Sequence, residues 1–414
     1  MRLLHVSDWH LGRETGGVSR RPDHEAVLAE IVDIARQFRP HLVVHTGDVF
    51  DSGHPGADDI ELAFATFHEL ADLAPVEVIA GNHDSPRYFR SLSRVQGRHG
   101  RIRLVDRPRH HSDGGVVEHP GESGEVIRLA VLPFVQAGRA GMIECFSDQR
   151  TWHGQYADGV RLFTRMLAEG LMAGYDPRRH VLVFATHLYI DGAVKSGSER
   201  QLHITDAYAA QAASVPTVSY AAFGHIHKPQ RLTGPGCACY AGSPIQMDFG
   251  EEGEEKSVVL VEAAPGRPTQ VRTVPLRKGR PLRSMRGTLA QIAALAPEVG
   301  EALCRIVVET ETITPDLSER VREMFSRATL LSVDEDCAAT RVRPLDARDG
   351  GTDDDAPLPT LFHEFLETTA VKGAAADKIL DVFGRLVQSA EDEATATFDE
   401  EAALQAPIPA VEGA

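Results

Sequence analysis

The stretch from Val78 to Pro86 reads Val-Ile-Ala-Gly-Asn-His-Asp-Ser-Pro, an apolar strand-like run that passes directly into an amide, an imidazole and a carboxylate. Taken alone, its polar half is typical of a turn, because Gly, Asn, Asp, Ser and Pro are the residues that turns favour. The same residues also suit a functional site at the end of a strand. The rest of the chain decides between these two interpretations.

Comparable polar clusters follow four other apolar runs of strand length. The clusters are Asp8-Trp9-His10, Gly47-Asp48-Val49-Phe50-Asp51, Thr186-His187 and Gly224-His225-Ile226-His227. Each alone is weak evidence, because a lone histidine is more often a satisfied polar residue than a ligand. Packing gives no reason to line one edge of a fold with acids, an amide and several imidazoles. The five clusters together therefore predict a shared metal site.

The apolar runs also predict the fold class. They are rich in Val, Ile and Leu, as buried strands are, and they lie at Arg2–Val6, Leu42–Thr46, Val76–Ala80, Arg128–Leu132, Val181–Thr186, Tyr220–Phe223 and Ser257–Glu262. Helical patterns separate several of them, and the clearest runs from Asp23, a capping-type residue, to Phe38. Alternating strands and helices indicate a layered α/β domain whose ligands collect beyond the carboxyl ends of the strands.

Length and composition predict more than one domain. At 414 residues the chain is long enough for two or three units. A small α/β unit of two amphipathic helices and short strands is expected near Leu276–Ser332. An acidic, Gly- and Pro-containing linker follows, and then helical periodicity resumes in two pieces separated at Gly373. We expect the Ala-, Glu- and Pro-rich end, 391–414, to be a disordered tail.

The charge is distributed unevenly. The formal net charge is −17, and the residues from Asp349 onward include 15 acidic and only 3 basic side chains. Overall charge therefore gives no argument for non-specific nucleic-acid binding. The stretch Arg87–Arg109 is strongly basic, which fits either a solvated helix face followed by a strand or a surface that contacts phosphates.

The compartment can be predicted from what the sequence lacks. No apolar run approaches the roughly 20 residues that span a bilayer, and the N-terminus lacks the apolar region of a secretory signal. The five cysteines are scattered and do not form a zinc motif, so we expect them to be reduced and structural. These features predict a cytoplasmic protein that does not enter a membrane.

Six motifs give the chain a specific resemblance. They are "HVSDWHLGR", "HTGDVFDSG", "AGNHDS", "HLYIDGAVKSGSER", "FGHIHKPQ" and "YAGSPIQMDF". The sequence resembles the calcineurin-like metallophosphoesterase superfamily and, within it, the nuclease subunits of bacterial SbcCD-type complexes. The resemblance is dense over about residues 1–250, weaker after that, and only suggestive at the C-terminus. The fold it implies is a sandwich of two β-sheets flanked by helices.

The resemblance also implies domain roles. Residues 1–275 would be the metallophosphoesterase nuclease domain and 276–345 an α/β capping domain that binds DNA. Residues 346–357 would be the acidic linker, and 358–390 a helix pair that binds an ATPase partner.

By the family pattern, two cations share seven ligands. Asp8, His10 and His227 would hold one ion, while Asn82, His187 and His225 would hold the other and Asp48 would bridge both. A phosphodiester repels nucleophiles because its oxygens are anionic, and two cations can neutralise it and deliver a hydroxide in line. Mixed carboxylate, amide and imidazole ligands suit Mn²⁺, with Mg²⁺ as an alternative. The implied cofactor is thus a pair of Mn²⁺ ions.

The imidazole left over is His83, which the resemblance casts as the acid that protonates the leaving oxygen. Related phosphatases orient this imidazole with the second acid of the Gly-Asp-x-x-Asp pattern, so we expect Asp51 to be the partner of His83. The alternative for Asp51 is a turn-capping carboxylate. For Asp84 we expect hydrogen bonds to loop backbone. Six further histidines have no motif support and are expected to be structural or exposed; they are His5, His41, His45, His54, His110 and His111.

Three functions are compatible with these features. The first is a Mn²⁺-dependent DNA nuclease with 3′→5′ exonuclease activity on duplex ends and endonuclease activity on hairpins or single strands. It would work in DNA repair, replication and recombination, as a homodimer within a heterotetramer containing an SMC-like ATPase of the SbcC type. Arg87, Arg90 and Arg94 would then contact DNA.

The second is a phosphatase or phosphodiesterase for small substrates, which would need neither the basic stretch nor the extra domains. The third is a scaffold with vestigial catalysis, for which His83 would be dispensable.

Overall fold

The computed structural model describes residues 1–96, 100–135, 149–196, 198–199, 209–210, 214–232, 236–340, 358–367 and 372–391. The chain divides into two compact units. The first comprises Met1–Ser284, Val299–Arg305 and Arg327–Leu331, and the second comprises Met285–Glu298, Ile306–Ser326 and Ser332–Ala414. The predicted linker at 346–357, the predicted tail beyond Glu391 and Cys145 lie outside the described residues.

The first unit is built on two six-stranded sheets. In chain order the strands are β1 (Arg2–Val6), β2 (Glu14–Thr15), β3 (Val18–Ser19), β4 (Leu42–His45), β5 (Val76–Ile79), β6 (Ile102–Val105), β7 (Val116–Pro120), β8 (Val126–Leu132), β9 (His180–His187), β10 (Tyr189–Ile190), β11 (Ala209–Ala210), β12 (Tyr220–Gly224), β13 (Gln230–Arg231), β14 (Ala238–Tyr240), β15 (Ser257–Glu262) and β16 (Gln270–Pro275). Sheet one has the order β16-β15-β1-β4-β5-β6, and sheet two has the order β13-β14-β12-β9-β8-β7. The short strands form the separate pairs β2-β3 and β10-β11.

Four helices accompany these sheets, namely α1 (Arg21–Phe38), α2 (Ala57–Leu73), α3 (Pro86–Gln96) and α4 (Gln149–Met172). One apolar core joins residues of both sheets, such as Val44 of β4 and Val183 of β9. A second core packs sheet one against Ile31 of α1 and Phe67 of α2, and a third packs sheet two against Leu167 of α4. The layers run helix, sheet, sheet, helix, which confirms the predicted α/β sandwich.

The strand directions determine where the site lies. β1, β4 and β5 are parallel neighbours in sheet one, and β9 and β12 are parallel neighbours in sheet two. Parallel strands end at the same edge of a sheet, and residues just beyond that edge are free of the ladder. Three of the five predicted polar clusters follow β1, β4 and β5, while Thr186-His187 forms the last two residues of β9 and Gly224 ends β12 just before His225 and His227.

Asp23 does not cap α1 as the sequence suggested. The helix begins at Arg21, and Arg20 occupies the N-cap position without a side-chain capping bond. The Asp23 carboxylate instead accepts from the Arg20 guanidinium at 2.7 Å and from the Arg280 guanidinium at 2.8 Å. Because Asp23 is buried, these two charge-assisted contacts offset its desolvation.

The remaining elements are β17 (Leu282–Thr288), α5 (Leu289–Val299), β18 (Leu303–Thr310), α6 (Leu317–Met324), β19 (Thr329–Cys337), α7 (Leu358–Glu367) and α8 (Ala374–Glu391). The strands form a sheet in the order β17-β18-β19. We call α7 and α8 the helix pair. Its helices stack Phe362 on Phe383 with ring centroids 3.8 Å apart, and Gly373 precedes α8 in a left-handed conformation. None of the helices in the described part of the chain has the length and apolar character needed to cross a membrane.

Candidate metal centre

The carboxyl ends of five strands deliver the predicted ligands. β1 leads into Asp8 and His10, β4 into Asp48, β5 into Asn82, β9 ends on His187, and β12 leads into His225 and His227. All seven side chains are buried. We call these seven residues the ligand cluster.

The ligand atoms fall into three groups, each with its atoms within 4.8 Å of one another. The groups are Asp8, His10 and His227; His10, Asp48 and His83; and Asp48, His187 and His225. The first and third correspond to the two predicted ion sites, apart from Asn82. Asp48 is absent from the first group, but its Oδ2 lies 3.5 Å from His10 Nε2 and 3.4 Å from His187 Nε2, so it faces one histidine of each predicted ion site.

Asn82 completes the third group. Its Oδ1 lies 2.8 Å from His187 Nε2 and 2.7 Å from His225 Nδ1. His187 Nδ1 is 2.7 Å from the Thr46 carbonyl oxygen, which can only accept, so Nδ1 carries a hydrogen. His187 Nε2 is then the ring nitrogen that can coordinate a metal ion, and it faces the amide oxygen. An imidazole nitrogen and an amide oxygen that converge in this way fit a bound cation, which would displace the proton on Nε2.

The charges of the cluster support the same interpretation. Burial raises the pKa of Asp8 to about 6 even though His187 and His227 oppose the shift. Burial alone would lower the pKa of His187, but Asp48 raises it to about 9. Burial would raise the pKa of Asp48, yet His187 and His83 hold it well below its ordinary value. Buried acids and imidazoles at this density require mutual neutralisation or a cation.

His10 adds a further indication. Its Nε2 is buried and has no hydrogen-bond partner among the described residues. Buried polar atoms in native proteins are normally hydrogen-bonded or ligating. The donor set of two carboxylates, one amide and four imidazoles thus fits divalent cations that accept mixed oxygen and nitrogen ligands.

The structure assigns Asp51 differently from our expectation. The Asp51 carboxylate lies 3.1 Å from His10 Nδ1 and 3.4 Å from Arg13, not against the imidazole of His83. It is the Asp51 main-chain carbonyl that lies 2.7 Å from His83 Nδ1. Burial would raise the pKa of Asp51, but the contact with His10 lowers it to about 2. Asp51 is therefore a partner of His83 only through its backbone.

Asp84 holds the loops that carry the ligands. Its carboxylate accepts from the main-chain N–H groups of Val49, Phe50 and Gly81 at 2.9 to 3.2 Å. These contacts tie the loop after β4 to the loop after β5. They are the loop-stabilising hydrogen bonds that the turn chemistry suggested.

The three arginines proposed for DNA contact all lie on α3 but are not equivalent. Arg90 is paired with the buried Asp106 at 2.9 Å. Arg87 and Arg94 are exposed, and their guanidinium groups form no hydrogen bond or ion pair with any described residue. Only these two are free to meet a phosphate without breaking an ion pair.

The six histidines without motif support are not part of the ligand cluster. His5 and His45 are buried, and His5 is held between the Tyr220 hydroxyl at 2.8 Å and the Thr46 hydroxyl at 2.9 Å. His41 is partly exposed and accepts from the Arg2 main-chain N–H. His54 and His110 are exposed and His111 is partly exposed.

Three buried charged residues next to His227 were not predicted from the sequence. They are Glu199, Glu251 and Lys256. Glu199 accepts from the main-chain N–H of His227, and Glu251 contacts the His227 ring. Their only sequence signal is the unusual charge density of "SGSER" and "GEEGEEK" beside a strand, which surface loops also show.

Comparison with known proteins agrees with this geometry. The family model described as calcineurin-like phosphoesterase matches residues 1–229. A second model, described as type 5 capsule protein repressor C-terminal domain, matches residues 278–370. The chain belongs to the calcineurin-like phosphoesterases.

The curated relatives that the chain resembles belong to one group within this family. The SbcD subunit of the nuclease SbcCD from Bacillus subtilis is 31% identical over 287 residues, which is 68% of this chain and 71% of the relative. The protein of the same name from Escherichia coli K12 is 30% identical over 310 residues, 71% of this chain and 73% of its own. Within the phosphoesterases, the chain belongs to the family of these SbcD proteins. A solved dimetal phosphatase from Danio rerio aligns with a TM-score of 0.43 and 14% identity over 67% of this chain and 96% of its own.

Proposed function

We propose that the chain is the nuclease subunit of an SbcCD-type complex and hydrolyses phosphodiesters of DNA with two Mn²⁺ ions. The observation that carries the proposal is the ligand cluster, in which seven buried side chains from five strand ends come together. Asp48 Oδ2 lies 3.5 Å from His10 Nε2 of one ligand group and 3.4 Å from His187 Nε2 of the other. The nuclease names of the relatives support DNA as the substrate. The proposal includes 3′→5′ exonuclease action on duplex ends and endonuclease action on hairpins and single strands.

Each predicted ligand has a defined place in this proposal. Asp8, His10 and His227 would hold one ion, Asn82, His187 and His225 the other, and Asp48 both. When bound, the two metal ions supply Lewis-acid stabilisation of the phosphodiester and lower the pKa of the attacking water. The protein's own contribution is to fix the ligands. The Asp51 carboxylate orients His10, and the Thr46 carbonyl orients His187.

His83 is the proposed general acid. It is more exposed than the seven ligands, so a substrate can reach it. Its Nδ1 faces the Asp51 carbonyl oxygen, which only accepts, so Nδ1 keeps its hydrogen and Nε2 is the nitrogen that can give up a proton. Its main-chain N–H donates to Asp48 Oδ1 at 2.7 Å, which ties the acid to the proposed bridging ligand. A proton delivered to the leaving oxygen would complete the hydrolysis.

The proposal includes a partner and a compartment. The SbcD relatives are named as parts of SbcCD, so we propose an SbcC-type ATPase as the partner and a homodimer of this chain within a heterotetramer. We propose the helix pair as the segment that binds the ATPase. Cytoplasmic location is part of the proposal because the proposed substrate is DNA.

One set of assays tests the activity. Linear duplex DNA, a single-stranded circle and a chromogenic phosphodiester are each incubated with Mn²⁺ or with EDTA. We expect Mn²⁺-dependent cleavage of both DNA substrates and no cleavage in EDTA. Hydrolysis of the chromogenic ester alone would contradict the nuclease proposal and support a small-substrate phosphodiesterase.

Two variants separate the metal ligands from the acid. Asp48→Ala should lose bound Mn²⁺ and cleavage together, whereas His83→Ala should keep both ions and lose most cleavage, by about 10²- to 10⁴-fold for a general acid. Metal content is measured by mass spectrometry, and His110→Ala, at an exposed position before the one-turn helix His111–Asp113, is the control. Loss of both ions from His83→Ala would contradict its role as the acid.

A further inference from the structure

A buried charged pair lies directly behind His227. Glu251 ends a one-turn helix, Phe249–Glu251, and Lys256 immediately precedes β15. Glu251 is 0% and Lys256 5% exposed, and the Lys256 ammonium lies 2.7 Å from the Glu251 carboxylate. A buried ion pair is weak as a source of stability, because desolvation offsets most of the attraction. The location of this pair therefore needs another explanation.

The carboxylate of Glu251 uses its two oxygens for different tasks. One oxygen lies 3.2 Å from His227 Nδ1 and also accepts from the Ser198 hydroxyl, which itself lies 2.5 Å from His227 Nδ1. The other accepts from Lys256 and, at 3.1 Å, from the main-chain N–H of Met247. With both oxygens engaged, the carboxylate cannot rotate away from the imidazole.

Lys256 contacts the backbone of the same histidine. Its ammonium donates to the main-chain carbonyl of His227 at 3.0 Å and to Glu254 at 3.0 Å. Glu199 separately accepts from the His227 main-chain N–H at 3.1 Å. The backbone of His227 is thus held by Glu199 and Lys256, and its ring is held by Glu251.

The contact with the ring has a chemical consequence. An ionised carboxylate only accepts, so it selects the tautomer of His227 in which Nδ1 carries the hydrogen and Nε2 keeps the lone pair. Ligating histidines in metalloproteins commonly donate their second ring nitrogen to a carboxylate, and removal of such a partner typically costs 10- to 100-fold in metal affinity. His227 shares its ligand group with Asp8 and His10.

We propose that Glu251, neutralised by Lys256, is a positioning residue that fixes the ring and tautomer of His227 for the cation shared with Asp8 and His10. This inference rests on the proposed two-ion function and adds residues that the ligand pattern does not contain. It also gives "SGSE" a role, because Ser198 and Glu199 both contact the same histidine.

The test measures Mn²⁺ affinity directly. Isothermal titration with Mn²⁺ is run on the full chain as wild type and as Glu251→Gln, with electron paramagnetic resonance to detect a coupled ion pair. We expect Glu251→Gln to weaken one of the two binding events by about 10- to 100-fold while the other stays within about twofold, and to lose the coupled signal at low Mn²⁺. Hydrolysis of the chromogenic ester should recover at high Mn²⁺.

Glu77 provides a matched control. It is also a buried carboxylate held by a cation and an imidazole, with Arg103 at 2.6 Å and His119 at 3.1 Å. Glu77→Gln should lower the melting temperature without a site-selective change in Mn²⁺ affinity. Equal effects of the two substitutions on Mn²⁺ binding would overturn the proposal.

A second variant guards against misfolding of the first. Glu251→Asp keeps the charge beside Lys256 but withdraws the carboxylate from the His227 ring, so it should also weaken one binding event. Unchanged affinity for both ions in Glu251→Asp would overturn the positioning role while leaving the proposed function intact. A wild-type chain that binds no Mn²⁺ would instead contradict the proposed function itself.

Discussion

Four residues of the ligand cluster have left-handed backbones, which non-glycine residues rarely adopt. The φ angles are 51° at Asp8, 48° at His10, 53° at Asp48 and 100° at His225. Such conformations cost of order 1–3 kcal/mol each and persist only where the surroundings enforce them. Their concentration just beyond β1, β4 and β12 indicates that the fold is strained to direct these side chains to one place.

Gly81 lies so close to Asp48 that it leaves no room for a side chain. A β-carbon at Gly81 would overlap the Asp48 carboxylate and its amide nitrogen. We predict that Gly81→Ala displaces Asp48 and weakens both Mn²⁺ binding events together, measured by isothermal titration. Gly384→Ala is the control, because a β-carbon there meets nothing within 4 Å. Wild-type affinity for both ions in Gly81→Ala would contradict the bridging position of Asp48.

His24 gives a pH-dependent prediction at the residue scale. It is buried on α1, and burial, aided by Arg20, lowers its pKa from 6.5 to about 3. The folded chain therefore keeps His24 neutral, while the unfolded chain takes up a proton as the pH falls below 6.5. Because of His24, the free energy of unfolding should fall by about 2 kcal/mol when the pH is lowered from 7.5 to 5.

The measurement is urea unfolding of wild type and His24→Leu at both pH values in the presence of EDTA. We expect the variant to lose about 2 kcal/mol less than wild type on acidification, by the same linkage. Identical pH dependence in the two proteins would show that His24 is protonated in the folded state.

At the scale of elements, α3 separates two kinds of arginine. Arg90 is paired with Asp106, whereas Arg87 and Arg94 are exposed at the start and near the end of the helix. The helix directly follows the loop that carries Asn82 and His83. A DNA strand that reaches the ligand cluster would therefore pass close to the first turn of α3.

We predict that the double variant Arg87→Ala/Arg94→Ala weakens duplex binding and lowers the log–log salt slope by about two, roughly one for each lost phosphate contact. Hydrolysis of the chromogenic ester should be unchanged. Fluorescence anisotropy over a range of salt concentrations measures the slope, and Arg161→Ala, at an exposed position of α4, is the control. Equal loss of DNA binding and ester hydrolysis would mean that these arginines support the fold.

At the scale of the whole molecule, the helix pair exposes an apolar surface. Leu358 is 63% exposed and Leu386 46%, and an apolar groove of about 520 Å³ is lined by Phe362, Ile379, Val382, Phe383 and Leu386 together with Lys378. α7 has only 10 residues and α8 has 18, and two packed helices of this size leave apolar side chains in water, so a partner surface would stabilise them. An amphipathic helix face laid against an apolar partner is a common way to supply it.

We predict that a chain ending near Asp346 keeps both Mn²⁺ ions and Mn²⁺-dependent cleavage but fails to co-purify with an SbcC-type ATPase. In the full chain, Leu361→Glu/Leu386→Glu should also abolish co-purification, because both side chains are exposed apolar groups of the pair. Leu295→Glu, an exposed leucine of α5, is the control. Retained co-purification, or a clear fall in the melting temperature of the shortened chain, would contradict this role.

Strand positions and strand-end motifs were readable from the sequence because their signals are local. Hydrophobic runs predicted β1 and β15 with the bounds found in the structure. The rule that parallel strands end at the same edge then implied that polar clusters of one sheet lie together. Because the clusters come from two sheets, the meeting of β1, β4 and β5 with β9 and β12 also depended on how the two sheets face each other.

The partners of individual charged side chains depended on tertiary structure. Asp23 pairs with Arg280, which is 257 residues away, and Glu251 meets His227 across 24 residues that include β13 and β14. The Asp51 carboxylate turned to His10, although the motif pattern suggested His83. Sequence periodicity specifies which face of an element is buried, but loop conformation and sheet register determine which two polar groups come within hydrogen-bonding distance of each other.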